Sequence, residues 1–145
     1  MPSAGKPSRL SLQRILFFHY NGPFCQTPDE CPAGFHYWFD FAAETEFSFD
    51  GVSDVEDTSR SCAITRGAGS TRDFFGINNF VRFPSIRAAR TMNEAGFLNS
   101  RIDACSGING LQANLVIVDF WSEGNLLEIV QERNKALVTR RMLRA

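Results

Sequence analysis

Histidine is nearly missing from this chain: its 145 residues contain two, His19 and His36. No His-Glu-x-x-His helix can form, and there is no Gly-x-Ser-x-Gly elbow, which excludes two widespread hydrolase arrangements. Charge of one sign is missing too. The 15 Lys plus Arg against 16 Asp plus Glu leave a net charge of −1, so no overall field recruits nucleic acid or an anionic membrane. No apolar run approaches the ~20 residues of a membrane span. The stretch nearest to a secretory core, Leu10 to Tyr20, is interrupted by Ser11, Gln13 and Arg14, so no signal peptide is visible. No glycine-rich fingerprint precedes a helix; Gly67-Ala-Gly-Ser70 is too isolated for a phosphate loop, and no internal repeat occurs. Length sets a further limit, since a complete barrel of eight strand-helix units typically needs about 250 residues. The chain is a small α/β domain or a piece of a larger one.

Basic residues gather at both ends. Lys6, Arg9 and Arg14 precede the first acid, Asp29, and the chain closes on Lys135, Arg140, Arg141 and Arg144. Residues 1–13 read as an irregular, solvated leader, with an organelle transit peptide as the alternative. Residues 139–145 read as a basic tail. Cys25, Cys31, Cys62 and Cys105 make an even set, and Cys25 and Cys31 bracket the turn-rich Gln26-Thr-Pro-Asp-Glu30, where a short disulfide loop would fit. Zinc held by Cys25, Cys31, His36 and His19 is the rival, but the Cys-x5-Cys spacing departs from the usual knuckle, so no metal or other cofactor is expected. Disulfides imply an oxidising compartment.

Periodicity orders the rest. Arg14 to Tyr20 reads as the first strand, ended by Asn21-Gly-Pro23. Residues 35–49 interleave Phe35, Tyr37, Trp38, Phe39, Phe41, Phe47 and Phe49 with Asp40, Glu44, Glu46 and Asp50. Helix and strand are both open there, and so are a core cluster and the rim of a polyol site. Residues 51–72 read as a long polar connection. A second strand is expected over 74–81, a helix start at Pro84-Ser85, and a helix from 86 to about 104 with Ile86, Ala89, Met92, Ala95 and Leu98 inward. A closing helix would use Leu126, Leu127, Ile129, Val130 and Leu137. Strand, helix, strand, helix implies a parallel α/β layout.

Between the last two helices lies Asn114-Leu-Val-Ile-Val-Asp-Phe-Trp121. Residues 115–118 are aliphatic and mostly β-branched, the mark of a strand covered on both faces. Asp119 breaks that run. By alternation it shares a face with Leu115 and Ile117, and if that face lines a barrel, the carboxylate stands in its mouth. An aspartate that merely caps the following loop or helix is equally compatible with the spacing. His19 ends the first strand as Asp119 ends the last, so the two could share one rim.

Taken in order, Arg14-Ile-Leu-Phe-Phe-His19, Gly34 through Phe47, Ser61-Cys62 with Arg66-Gly67, Asn78-Asn-Phe80 with Pro84-Ser85, Asn99 through Cys105, and Val118-Asp-Phe-Trp121 with Gly124-Asn125 and Asn134 resemble the C-terminal half of the PLC-like phosphodiesterases. More narrowly, they are similar to secreted proteins containing a phosphatidylinositol-specific phospholipase C X domain. The resemblance covers residues 14–138. It implies a partial TIM barrel, the later strand-helix units of a fold that cleaves phosphoinositide or other glycerophosphodiester substrates with two histidines, one deprotonating the attacking hydroxyl and one protonating the leaving alkoxide. Asp119 matches the strand-end aspartate that orients the first histidine. Substrate contacts would fall near His19 and Tyr20, where the family has a basic side chain, and at Glu44 and Phe47, where it has a stacking aromatic. Cys62 and Cys105 match cysteines paired in the secreted members, which implies an extracellular or secretory location.

The family's Gly-Thr-His-like segment has no counterpart here, nor does the second histidine with its arginine. Asp119 then has nothing to orient. The expectation is a fragment of a gene model or a splice form, inactive alone, with an open sheet edge disposed to self-association. A non-catalytic interaction module or dimerising half-barrel is the alternative.

Overall fold

The structure, a computed structural model, describes residues 17–19, 35–67 and 73–143. The leader, Tyr20, Cys25 and Cys31 lie outside the described residues. Twelve elements follow in order: β1 (Phe17–His19), β2 (Phe35–Tyr37), α1 (Trp38–Phe41), β3 (Ala42–Thr45), α2 (Val52–Glu56), α3 (Thr58–Ser61), β4 (Ile64–Arg66), β5 (Phe74–Asn79), α4 (Ile86–Met92), α5 (Ala95–Asn109), β6 (Leu115–Val118) and α6 (Leu126–Met142). β1 pairs with β2 in a two-stranded parallel sheet, and the other strands form one sheet in the order β4-β3-β5-β6. Its three strands β3, β5 and β6 are parallel; β4 runs antiparallel against β3. The protein is therefore mixed α/β, and the wholly parallel layout expected from element order is corrected at β4.

Paired residues on neighbouring strands share a face. The ladders Ala43↔Phe75 and Ile77↔Val116 align one face, which the helices cover. There Ala43, Phe75 and Ile77 pack with Leu98, Ile102 and Cys105 of α5, with Ile129 of α6 and with Cys62. A second cluster, Phe49, Val55, Val81 and Met92, fills the space between α2 and α4. Cys62 and Cys105 are disulfide-bonded across a separation of 43 residues and both are fully buried. That bond staples the end of α3 to α5 and is compatible with an oxidising location. No helix among the described residues is long and apolar enough to cross a membrane.

Several local expectations need correction. Residues 51–72 are not one connection, because Val55 and Ser61 find buried sites and build α2 and α3, and Ile64–Arg66 extends the sheet. The single helix over 86–104 is two, broken at Asn93, whose carbonyl accepts from Asn125 N at 2.9 Å and whose side chain is bound elsewhere. Ala89, Met92 and Leu98 are inward as expected and Ala95 packs on the core, but Ile86 is exposed: it opens α4, just after the Ser85 cap that accepts from Ala88 N. On α6 the inward row is Leu126, Ile129, Arg133 and Leu137, leaving Leu127 and Val130 exposed. Residues 35–45 resolve into strand, one helical turn and strand, so both readings of that segment hold in part. The backbone of Arg140 and Arg141, in the expected basic tail, belongs to α6.

Arg101 joins the layers. Its Nη1 donates to Val55 O (3.0 Å) and Ser61 Oγ (2.6 Å), and its Nη2 to Ser61 O (3.2 Å) and Asn78 O (2.9 Å). All four acceptors are uncharged. Burial pushes the guanidinium down to about 10, still cationic at neutral pH. A mostly apolar cleft of about 460 Å³ beside it, walled by Val55, Phe97 and Ala104, lies on this helix-covered side.

Candidate functional site

The face opposite the helices carries Glu44, Arg66, Phe74, Gly76, Asn78, Leu115 and Ile117, by the ladders Glu44↔Arg66, Glu44↔Gly76 and Asn78↔Ile117. Polar groups there sit near the C-terminal ends of the parallel strands. Glu44 is fully buried and accepts from Trp38 Nε1 (2.5 Å), Arg66 Nη2 (2.7 Å) and Asn78 Nδ2 (3.4 Å). Asn78 is aligned by a second bond, Nδ2 to Thr45 O at 2.9 Å. Room for the glutamate comes from Gly76, where an added Cβ would stand 3.2 Å from Glu44 Cγ. Trp38 stacks on Phe74 with ring centroids 5.8 Å apart and closes this side of the network. The glutamate oxygens are thus engaged by protein donors, and Glu44 fixes Arg66 and Asn78 in place.

Arg66 extends from that pair toward the rim. Its guanidinium carbon lies 3.9 Å from the Phe47 ring centroid and 5.3 Å from that of Phe39, so one face of Phe47 is occupied by a cation. Gly67 follows with φ +69°; a Cβ there would fall 1.8 Å from Ala42 O, which makes glycine obligatory where β4 closes on β3. Beside Phe47, Glu46 accepts from Phe47 N and Ser48 N, both at 2.8 Å, and these bonds hold its carboxyl below the usual 4.5.

Asp119 follows the last residue of β6 and continues the alternation of Leu115 and Ile117 toward the same face. Its Oδ2 is shielded from water and has no hydrogen-bond partner among the described residues. The backbone around it is held firmly. Asn93 Nδ2 donates to Asp119 O (3.0 Å) and Phe120 O (3.4 Å), while Asn93 Oδ1 accepts from Asn79 Nδ2 (3.3 Å). Phe120 adopts φ +48°, the left-handed region that a large side chain rarely enters. Gly124, with φ +100°, lets the loop lie against Asn93, where a Cβ would come within 2.5 Å of the carbonyl oxygen. Asp119 therefore ends a strand at a bend clamped by two buried asparagines.

His19 ends β1 in the two-stranded sheet, whereas Asp119 follows β6; among the described residues no ladder joins the two sheets. Tyr20, Cys25 and Cys31 of the expected site lie outside the described residues. Glu44 and Phe47 meet at Arg66. His36 packs edge-to-face on Phe41 at 5.3 Å. Among the described residues, no three His, Cys, Asp or Glu side chains converge to hold a metal ion. Sequence reasoning passed over Arg66, Asn78, Asn79 and Asn93 as site members. Two signals mark them in hindsight: an asparagine pair terminating the apolar Phe74-Phe-Gly-Ile77, and a glycine within that strand, which announces a close neighbour. The sequence matches no family model, no curated protein and no solved structure.

Proposed function

We propose that the chain is the later part of a PLC-like phosphodiesterase barrel, silent in catalysis by itself. The observation that carries this reading is Asp119 Oδ2, shielded from water and without a donor among the described residues, at the C-terminal end of β6. An acceptor in that state is destabilising unless something supplies a proton donor. In a diester-cleaving barrel the donor is the imidazole N–H of a histidine that takes the proton from the attacking inositol hydroxyl, and the carboxylate favours the imidazolium formed. Three parallel strands with helices on one face and polar groups near the strand ends on the other agree with that use. The extracellular location and lipid substrate belong to the same proposal. This chain has no Gly-Thr-His-like segment, and losing the acid/base pair forfeits on the order of 10²- to 10⁴-fold in rate for each function removed.

The full chain should leave phosphatidylinositol and a chromogenic inositol phosphodiester intact. Turnover that disappears with Asp119→Ala would refute the silence, and turnover indifferent to it would refute the site. In the same protein, inositol 1-phosphate should shift the amide resonances of residues 118–121, and Asp119→Ala should remove the shifts. Unmoved resonances at saturating ligand would end the assignment.

A further inference from the structure

We propose that the cleft between α5 and the α2–α3 segment binds a small aliphatic carboxylate, with the alkyl chain on the cleft's apolar walls and the carboxylate against Arg101. This inference stands independently of the phosphodiesterase reading. Phe97, Arg101 and Ala104 recur at helical spacing on one side of α5, while Leu98, Ile102 and Cys105 turn into the core on the adjoining side. Facing them across the cleft are Val55 and Glu56 of α2 and Thr58 at the start of α3. The space enclosed, about 460 Å³ and mostly apolar, falls within the ~300–1,000 Å³ of ordinary ligand pockets.

Arg101 chooses the occupant. Every N–H of a buried guanidinium needs an acceptor. Four bonds to uncharged acceptors engage its two terminal nitrogens, but Nε–H is shielded from water with no acceptor among the described residues. Charge is the second deficit. Arg101 is 3% exposed, yet no carboxylate among the described residues pairs with it. Desolvation alone moves its pKa, with no opposite charge to offset it, and the Phe49 ring, its centroid 5.6 Å from the guanidinium carbon, offers only the weaker attraction of a π face. A carboxylate supplies both missing parts, an acceptor for Nε–H and a counter-charge. Thr58 and Ser100, in the same lining, carry hydroxyls that can donate to its second oxygen. Glu56, exposed in that lining, repels a second negative charge, so the fit is to one carboxylate rather than to a phosphate or a dicarboxylate. Opening the way to Nε falls to Phe97: Val55 is buried and Gly96 and Ala104 have no side chain to turn, whereas the Phe97 ring is only half-buried.

Decanoate, titrated into the full chain and followed by calorimetry and by amide resonances, should bind one molecule per chain and shift residues 55–58 and 96–104. Decanol and decylammonium share its alkyl chain, and each should bind about tenfold more weakly or worse. Gly96 lines the cleft, and an added Cβ there meets nothing within 4 Å, so Gly96→Leu fills the space while favouring helix over glycine. That variant should lose decanoate binding with its thermal midpoint no lower than the parent's. Arg101→Met should abolish the preference for decanoate over decanol; if it fails to fold, the ligand series on the parent chain still decides. No saturable binding of decanoate, equal or tighter binding of decanol or decylammonium, shifts confined to other residues, or binding undiminished by Gly96→Leu would overturn the proposal.

Discussion

Asn93→Ala should destabilise the protein by about 2–3 kcal/mol, taking roughly 1 kcal/mol for each hydrogen bond whose buried partner is left behind. Asn93 is fully buried, and its side chain supplies Asp119 O, Phe120 O and Asn79 Nδ2. Truncation leaves those groups facing a small void. Asn79 Nδ2 keeps its 3.1 Å bond to Met92 O, which limits the loss. Asn93→Asp is the more discriminating change: it conserves volume but replaces the amide donor with carboxylate oxygens pointed at two carbonyls. Its cost should exceed that of alanine, with an uncompensated buried charge adding several kcal/mol. Urea unfolding by fluorescence and circular dichroism gives both values, and hydrogen exchange at residues 119–125 should speed up in the alanine variant more than exchange in α5. Two results would refute the reasoning: a loss under about 0.5 kcal/mol for Asn93→Ala, or an aspartate variant more stable than the alanine one.

Removing the guanidinium that meets Glu44 should be severe as well. Arg66→Met is expected to lose about 3 kcal/mol, the low end for breaking a buried pair because Arg66 is 28% exposed; the Glu44→Gln/Arg66→Met double variant should recover part of it, and a double-mutant cycle with no coupling would contradict the pairing. Replacing both Cys62 and Cys105 with alanine should cost about 4 kcal/mol from the 43-residue loop released, read from the thermal midpoint and denaturant titration. Glu46 sets a pH dependence: its folded pKa lies below the ordinary 4.5, so its contribution is present above that value and fades as pH falls through the folded pKa. Glu46→Gln should flatten the acid limb of a stability-pH curve, and an unchanged limb would count against the Phe47 and Ser48 hydrogen bonds.

Much of the fold was legible where a residue's local preference and its tertiary setting agree. The aliphatic 115–118 and the largely apolar 74–81 read as strands, the second ending two residues early at Asn79, and Pro84-Ser85 could announce a helix because the cap acts locally. Asn93 shows where legibility ends: its helix-breaking role depends on Asn79 and Asp119, 14 and 26 residues away. Likewise, α2 and α3 are too short and polar for a periodicity signal, and they exist because Val55 and Ser61 meet α5. The antiparallel course of β4 is set by Glu44 and Arg66 across 22 positions. In the candidate site, Asp119 stood out because it breaks an apolar run. Arg66 and Asn78 did not, since one arginine among fifteen bases and one asparagine in a polar pair become distinctive only when the ladder places Arg66 opposite Glu44 and the fold brings Asn78 Nδ2 to the same carboxylate.

Arg101 has a bearing on how the chain reaches this state. Its acceptors lie 46, 40 and 23 residues away, on α2, α3 and β5. None of these bonds can form until three separated stretches have already been gathered, and before that water solvates the cation better than any partial cage. The guanidinium is therefore expected to lock in late, after the sheet and α5 have assembled. Changes at this position should accelerate unfolding while leaving the folding rate nearly untouched. Arg101 is in that sense a latch on the finished molecule, governing how long it lasts once formed.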